Sequence, residues 1–162
     1  MKFVPITEFT DQMWYESYLI VYNKELAFHM GVNPQLIANP PTLTEFYDNI
    51  TAAVENGTGY GFGIIKDGEL IGHAILDKRA GEWEVGTVLK DKKLWNSGIG
   101  VRATLRALKW IFDEQGANWA ITHTFGRDPK VRDMLIRGGF KPFMSFLILD
   151  QETWKARWSR RV

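Results

Sequence analysis

Two glycines, Gly98 and Gly100, begin the stretch GIGVRATLRALKWIF, in which apolar residues recur with helical spacing. A glycine inside a helix costs about 1 kcal/mol relative to alanine, so the pair needs a physical explanation. Glycines leave the first backbone N–H groups of a helix accessible, and such groups bind anions with the help of the helix dipole. With Ser97 as the predicted N-cap, the stretch predicts an anion site at the start of this helix.

The charges along the same segment support this site. Arg102 and Arg106 fall in its first half and Asp113 and Glu114 at its end, an order that the helix dipole disfavours. An anion bound at the N-terminus would explain the early arginines. The alternative is that the glycines only permit a tight turn from a strand into the helix and that the arginines are solvated.

Two common phosphate-binding motifs do not account for the glycine pair. The P-loop pattern G-x-x-x-x-G-K-[ST] is absent. The dinucleotide fingerprint G-x-G-x-x-[GA] is met by Gly98, Gly100 and Ala103, but only 59 of the 162 residues follow Ala103, too few for a doubly wound sheet. We therefore reject both motifs.

The composition excludes several classes of chemistry. The chain carries a net charge of +1 and no cysteine, which excludes disulfides and sulfur metal sites and is typical of a reducing cytoplasm. The three histidines, His29, His73 and His123, lie far apart in sequence, so we expect no metal site. No apolar run is long enough for a membrane helix. We therefore expect one cytoplasmic domain over residues 1–162, without membrane contact.

The anion site needs strands on either side of its helix to hold it in place. Asp67-Gly68 predicts a β-hairpin, and Ala80-Gly81 predicts the turn into a third strand. The order β-α-α-β-β-β-α-β-α-β-β then predicts an α+β fold with one parallel crossover around the central helix. The other predicted elements are a strand at 2–7, one or two helices within 9–29, a helix from Thr42 or Thr44 to about 56, strands at 82–89 and 119–125, a helix at 128–137 and a β segment at 140–149.

This layout resembles the GNAT superfamily of N-acetyltransferases, a single-domain fold with a mixed, mostly antiparallel sheet and helices on both faces. The stretch WNSGIGVRATLRAL resembles the acyl-CoA loop [RQ]-x-x-G-x-[GA] of that family, with Trp95 in place of the usual Arg or Gln. An aromatic residue at that point, and Glu84-Val85-Gly86 on the preceding strand, resemble the ribosomal-protein alanine acetyltransferase branch. The segment RDPKVRDMLIRGGF resembles the family's N-x-x-[SA]…G-[FY] pattern, with Asp128 where Asn is usual.

The resemblance implies that acetyl-CoA is the co-substrate and that its pyrophosphate lies on the glycine loop. Val88 and Leu89 are expected to offer main-chain partners to the pantetheine arm, where the strands before and after the helix splay apart. The predicted acetyl-CoA-binding residues are Val88, Leu89, Asn96, Ser97, Gly98, Ile99, Gly100, Val101, Arg102 and Asp128.

Acetyl transfer from a thioester to an amine needs a proton acceptor for the amine, and the leaving thiolate can take a proton. Glu84 is the first candidate acceptor, acting directly or through water, and the alternative is that it is a solvated strand residue. His73, in IGHAIL, is the second because imidazole titrates in the useful range, and the alternative is that it is a structural histidine. Glu82 and His123 rank lower. Leu135 occupies the position of the family's tyrosine acid, so we expect no strong acid catalysis of CoA departure.

These residues predict an acetyl-CoA-dependent N-acetyltransferase that acts on an amine of a small molecule or a protein, with a homodimer compatible with the sequence. The missing tyrosine leaves one alternative, a catalytically degenerate member of the fold with a structural or interaction role. A second alternative is a nucleic-acid-binding tail, TWKARWSRRV, in which Trp154 and Trp158 alternate with basic residues. The nearly neutral chain argues against that second alternative.

Overall fold

The computed structural model describes residues 1–26, 34–123, 129–143 and 146–159, and all structural statements concern these residues. Their strands are β1 (Lys2–Pro5), β2 (Gly59–Lys66), β3 (Glu69–Arg79), β4 (Glu82–Leu89), β5 (Trp119–Thr122), β6 (Lys141–Phe143) and β7 (Phe146–Asp150). Their main helices are α1 (Asp11–Val21), α2 (Pro34–Ala38), α3 (Leu43–Glu55), α4 (Ile99–Lys109), α5 (Pro129–Arg137) and α6 (Gln151–Arg157).

The strands form one seven-stranded sheet in the order β1-β2-β3-β4-β5-β7-β6. The pairing of β4 with β5 is parallel, and every other pairing is antiparallel. The chain passes from β4 to β5 through α4, so the predicted crossover around the central helix and the α+β fold class are confirmed.

Helices cover both faces of this sheet. On one face, the Ser17 hydroxyl of α1 lies 3.0 Å from Nδ1 of His73 on β3. On the other face, the hydroxyls of Thr87 on β4 and Thr104 on α4 lie 3.2 Å apart. His73 pairs with Val88 across β3 and β4, and neighbouring residues of a strand point to opposite faces, so these two contacts identify two layers. We call them the α1 face and the α4 face.

Local sequence signals determine many boundaries as predicted. Asp67 and Gly68 both have positive φ, as the tightest hairpin turn requires. Thr42 caps α3: its hydroxyl accepts from the N–H of Glu45, whose carboxylate accepts from the N–H of Thr42. Strand β4 spans the predicted residues 82–89. These signals act within a few residues, so they do not depend on the rest of the fold.

Two helices are missing from the predicted order. Pro34, Pro40 and Pro41 predict a loop in this part of the sequence. Residues 34–38 instead form α2, since proline is well tolerated at the first helical position. The tail forms α6, in which the Asp150 carboxylate accepts from the N–H of Thr153 at 2.7 Å. Trp154 is fully buried and donates from Nε1 to Asp113 at 2.9 Å. A stacking role for Trp154 in nucleic-acid binding is therefore wrong, because its ring belongs to the core.

The central helix buries a different stripe from the one expected. The spacing of Val101, Leu105, Leu108 and Phe112 predicts one apolar stripe. Leu108 and Phe112 are buried, whereas Val101 and Leu105 are only half-buried. The buried residues are Ile99, Ala103, Ala107, Leu108, Ile111 and Phe112. Beyond α4 the helix continues as a π-helical turn, Trp110–Glu114, which rotates its last residues relative to a regular helix. Small alanines on the buried stripe let α4 approach the sheet closely.

Candidate active site

Strands β4 and β5 separate after a short parallel contact. Trp83 and Glu84 pair with Ala120 and Ile121, and the two strands share no further paired residues in the described chain. The Thr122 hydroxyl then donates to the carbonyl of Val85 at 2.9 Å. From Val85 onward β4 is paired only with β3, so a cleft opens between β4 and β5 on the side that leads to α4.

The main-chain groups that face this cleft can be assigned from two hydrogen bonds. The N–H of Lys90 donates to the carbonyl of Ile71 at 2.9 Å, so the main-chain groups of Lys90 point towards β3. Every second residue of the strand points the same way, so the main-chain groups of Val88 also point towards β3. The Val85 carbonyl points at β5, so Thr87 and Leu89 point into the cleft. Of the two predicted partners of a pantetheine arm, Leu89 therefore has its main chain on the cleft side and Val88 does not.

The glycine loop after β4 presents free backbone donors. Asn96 and Gly98 have φ of 63° and 79°, in the left-handed region. Among the described residues, the N–H groups of Gly98, Gly100 and Val101 donate to no backbone or side-chain acceptor. A Cβ built at Gly98 or Gly100 would meet no atom within 4 Å. The start of α4 is therefore an uncovered set of N–H groups, which is the geometry of an anion site.

The predicted N-cap of α4 needs correction. The N-cap residue is Gly98, and it provides no side-chain hydrogen bond to the helix. The Ser97 hydroxyl donates to the carbonyl of Leu94 and accepts weakly from the N–H of Ile99, at 3.4 Å. Because the left-handed Gly98 turns the chain after Ser97, this serine stabilises the loop before the helix rather than the first helical turn.

The two early arginines of α4 have different surroundings. The Arg102 side chain is exposed and has no hydrogen-bond or ion-pair partner within the described part of the chain. Arg106 lies one turn later, with Nη1 3.5 Å from the Glu114 carboxylate. Arg106 therefore has an anionic partner in the protein, and Arg102 is the better placed of the two for a bound phosphate.

Glu84 and His123 form a pair where the strands diverge. Nδ1 of His123 is hydrogen-bonded to Oε1 of Glu84. Oε2 of Glu84 is buried and lies 3.0 Å from Nε of Arg79, but it accepts no hydrogen bond from the described residues, so this contact is an ion pair only. The exposed fractions are 16% for the Glu84 side chain and 21% for that of His123. The carboxylate is therefore half-buried and held by two cationic or ionisable partners, which excludes a freely solvated Glu84.

A second carboxylate lies next to this pair. Asp77 is the cross-strand neighbour of Glu84, on the same face of the sheet. Burial raises the pKa of Asp77, the guanidinium of Arg79 opposes that rise, and the charge of Glu84 adds to it. The cluster Asp77, Arg79, Glu84 and His123 thus concentrates ionisable groups at the mouth of the cleft, an arrangement typical of functional sites.

His73, the second predicted proton acceptor, lies inside the protein. It is 3% exposed, and its Nδ1 contacts Ser17. Burial lowers its pKa to about 4, so the ring is neutral at physiological pH and binds a proton weakly. These surroundings assign His73 a structural role between α1 and the sheet, contrary to the prediction.

Gly86 provides open space beside Glu84. It is exposed, and a Cβ at this position would meet only the carbonyl of Ile75, at 3.9 Å. Since Glu84 pairs with Ile121, Gly86 and His123 occupy equivalent positions two residues further along their strands. At the position of Gly86, therefore, no side chain fills the space between β4 and the imidazole of His123.

The remaining predicted residues have different outcomes. Leu135 is buried in the main core and lines an apolar pocket of about 240 Å³ between α4 and α5. Asp128 lies outside the described residues. Sequence reasoning ranked His123 low and did not select Arg79, Asp77 or Gly86. The available signal for His123 was its position just after a strand that runs parallel to the strand of Glu84.

The chain matches the family described as acetyltransferase (GNAT) domain over residues 8–141. This protein therefore belongs to the GNAT acetyltransferase family. No curated protein sequence matches the chain.

Several solved structures share the fold. The aminoglycoside acetyltransferase AAC(6')-Ib in complex with coenzyme A has a TM-score of 0.74 at 11% identity, covering 98% of this chain and 99% of that one. Spermidine N-acetyltransferase from Vibrio cholerae in complex with CoA and spermine has a TM-score of 0.75 at 12% identity, covering 94% and 98%. PaiA N-acetyltransferase from Thermoplasma acidophilum in complex with coenzyme A has a TM-score of 0.69 at 17% identity, covering 91% and 97%.

The described residues contain no group of three or more His, Cys, Asp and Glu side chains that could hold a metal ion. No helix within the described ranges has the length and apolar character needed to cross a membrane.

Proposed function

We propose that this protein transfers the acetyl group of acetyl-CoA to an amine and that the cleft between β4 and β5 is the site of transfer. One observation carries the proposal: the cleft brings together an open main-chain edge of β4, the uncovered N-terminus of α4 and the Glu84–His123 pair. Family membership gives the class of reaction, and this geometry supports the assignment of the cleft to the co-substrate.

The residues of the cleft fit acetyl-CoA part by part. The main-chain groups of Thr87 and Leu89 can pair with the amides of an extended pantetheine arm, as a strand edge pairs with a peptide. The free N–H groups of Gly98, Gly100 and Val101 suit a pyrophosphate, and Arg102 adds a positive charge beside them. The thioester would then lie near Gly86, beside Glu84.

Glu84 assists removal of the amine proton at this point. An alkylamine has a pKa of about 10.4, so it is almost entirely protonated at neutral pH and must lose a proton before it can attack. The Glu84 carboxylate attracts the cationic amine, and its pairing with His123 provides a route for the proton. Positioning the amine against the thioester supplies a further part of the rate, since oriented reactants gain several kcal/mol.

The acceptor is an amine of a small molecule or of a protein. Two structural neighbours are named for small-molecule acceptors, an aminoglycoside and spermidine. The motif resemblance to the ribosomal-protein alanine acetyltransferases, carried by Trp95 and Glu84, instead favours a protein N-terminus. A single domain over residues 1–162, a cytoplasmic location and a homodimer stay predictions from the sequence.

The test is acetyl-CoA binding followed by transfer. Calorimetry should detect acetyl-CoA binding to the full chain, and release of free CoA should accompany acetylation of at least one of spermine, kanamycin and an alanine-initiated peptide. Gly100→Val should remove binding, while Lys155→Ala on α6 should leave it unchanged as a control. A wild-type protein that binds no acetyl-CoA would overturn the proposal in favour of the degenerate fold with a structural role, for which Leu135 at the tyrosine position is the supporting observation.

A further inference from the structure

We infer that His123 is the group that takes the proton from the acceptor amine and that Glu84 acts through it as a positioning residue. The inference rests on the proposed function. It concerns two residues that lie 39 positions apart in the sequence and meet only where β4 and β5 diverge.

Both oxygens of Glu84 are already engaged. Oε1 is hydrogen-bonded to His123, and Oε2 is buried beside the guanidinium of Arg79 at 3.0 Å. The guanidinium of Arg79 places a positive charge beside Oε2, and an ionised carboxylate can only accept hydrogen bonds. The Nδ1 atom of His123 must therefore be the donor in this pair.

This contact decides which nitrogen of His123 is basic. A neutral imidazole carries its proton on one nitrogen and a lone pair on the other, and a carboxylate at Nδ1 holds the proton there. The lone pair is then on Nε2. A carboxylate that orients an imidazole in this way also stabilises the imidazolium that forms when Nε2 takes a proton.

The position of His123 fits this role. It follows the last residue of β5 and stands level with Gly86, so no side chain of β4 fills the space between the ring and the strand edge. The thioester is expected at that edge. An amine that attacks the thioester carbon from the α1 face would have its proton close to the imidazole.

One group can then serve both proton transfers. The attacking amine is neutral, its ammonium proton having been released to solvent. As its nitrogen forms a bond to the carbonyl carbon, the N–H proton passes to Nε2, and the C–S bond breaks to release the CoA thiolate. The imidazolium then returns the proton to the thiolate sulfur, which restores neutral His123 and gives the amide and free CoA. This second step performs the task of the tyrosine acid, whose position is occupied by the buried Leu135.

Four variants test the inference in the full chain, with whichever of spermine, kanamycin or the alanine-initiated peptide the wild type acetylates fastest. His123→Ala and Glu84→Gln should each lower kcat about a hundredfold, the usual contribution of one acid–base group. Glu84→Gln acts by removing the charge that holds the Nδ1 tautomer. The double variant should be no slower than His123→Ala alone, because both changes interrupt one proton path. Glu152→Gln, the same chemical change at an exposed residue of α6, should keep wild-type kcat.

Two readouts separate catalysis from a structural role. Added imidazole should restore part of the kcat of His123→Ala and none of that of Glu84→Gln, and the KM for acetyl-CoA should stay within about twofold in both. Long-range ¹H–¹⁵N correlation spectra of neutral His123 should show the Nδ1–H tautomer in the wild type and lose it in Glu84→Gln.

The outcomes distinguish the two proposals. Three results would each overturn the role of His123 and leave the proposed function standing, provided that the wild type transfers acetyl groups. They are an unchanged kcat in His123→Ala, additive losses of kcat in the double variant, and an Nε2–H tautomer in the wild type. Absence of transfer to every amine of the panel by the wild-type protein would overturn the proposed function and this inference with it.

Discussion

The hydroxyl of Thr122 donates a 2.9 Å hydrogen bond to the main-chain carbonyl of Val85, and β4 and β5 separate beyond this bond. Both residues are buried. The contact marks the point beyond which the edge of β4 is available to a ligand. This bond and the Glu84–His123 pair therefore join the two chain segments at the point where the cleft begins.

We expect Thr122→Val to destabilise the protein by about 1–3 kcal/mol, since the buried carbonyl of Val85 loses its donor. The change should also weaken acetyl-CoA binding, because the strands lose a bond that joins them where the cleft begins. Denaturant unfolding and calorimetry measure the two effects. Thr122→Ser keeps the hydroxyl and should retain acetyl-CoA affinity, and equal affinities for the Val and Ser variants would contradict this role.

Substitution of Gly100 should raise the stability of the fold and weaken acetyl-CoA binding. Its φ is not positive and nothing lies within 4 Å of a Cβ built on it, so Gly100→Ala should stabilise the fold by about 0.4–1 kcal/mol. The added methyl group should weaken acetyl-CoA binding at the loop. Gly98, with φ of 79°, is the matched comparison, because Gly98→Ala should lose roughly 1 kcal/mol of stability as well as binding. Undiminished binding by Gly100→Ala would remove the loop from the site.

The two arginines of α4 should differ in their effect on phosphate binding. Arg102→Ala should weaken acetyl-CoA more than it weakens a pantetheine fragment that lacks the phosphates. Arg106→Ala should have a smaller effect, since Arg106 already faces Glu114 at 3.5 Å. Calorimetric titrations with both ligands measure the difference. Equal losses for the two ligands in Arg102→Ala would make that arginine a solvated residue.

Gly86 should be required for turnover but not for folding. Only the Ile75 carbonyl, at 3.9 Å, approaches a Cβ at this position, and valine is favoured in strands, so Gly86→Val should fold with at least wild-type stability. Its side chain would fill the space between β4 and His123, and transfer to any amine should fall by at least tenfold, the scale of one misplaced reacting group. Thermal unfolding measures the stability of the variant, and CoA release measures its turnover. Normal turnover in a stably folded Gly86→Val protein would place the reacting atoms elsewhere.

The buried His73 should make stability depend on pH. Burial lowers its pKa from 6.5 to about 4 in the folded state, so the unfolded chain binds the proton more tightly between these values. The contribution to the free energy of unfolding is fully present above pH 6.5 and is lost as the pH falls towards 4, by up to about 3 kcal/mol. His73→Asn, which can still bond Ser17, should flatten this part of the pH dependence of denaturant unfolding. An unchanged slope in the variant would assign the dependence to other groups.

Short-range patterns in the sequence were sufficient for most of the fold. The Asp67-Gly68 turn, the Thr42–Glu45 capping box and the limits of β4 each depend on residues within one turn or one strand. The glycine pair belongs to the same class, because the accessible N–H groups follow from the missing Cβ atoms themselves. The tail α6 was the exception, since its helix is stabilised by burying Trp154 against a distant segment.

Only tertiary packing decided which polar residues meet. Glu84 was identifiable as a carboxylate before the loop, but its partners Arg79 and His123 come from two other parts of the sheet and are selected by the register of β3 and β5. His73 and His123 look alike as single residues in the sequence. Packing of α1 against β3 encloses the first and lowers its pKa, while the divergence of β5 from β4 leaves the second at the mouth of the cleft. Distant elements therefore decide the solvent access and the charge around each of these two imidazoles.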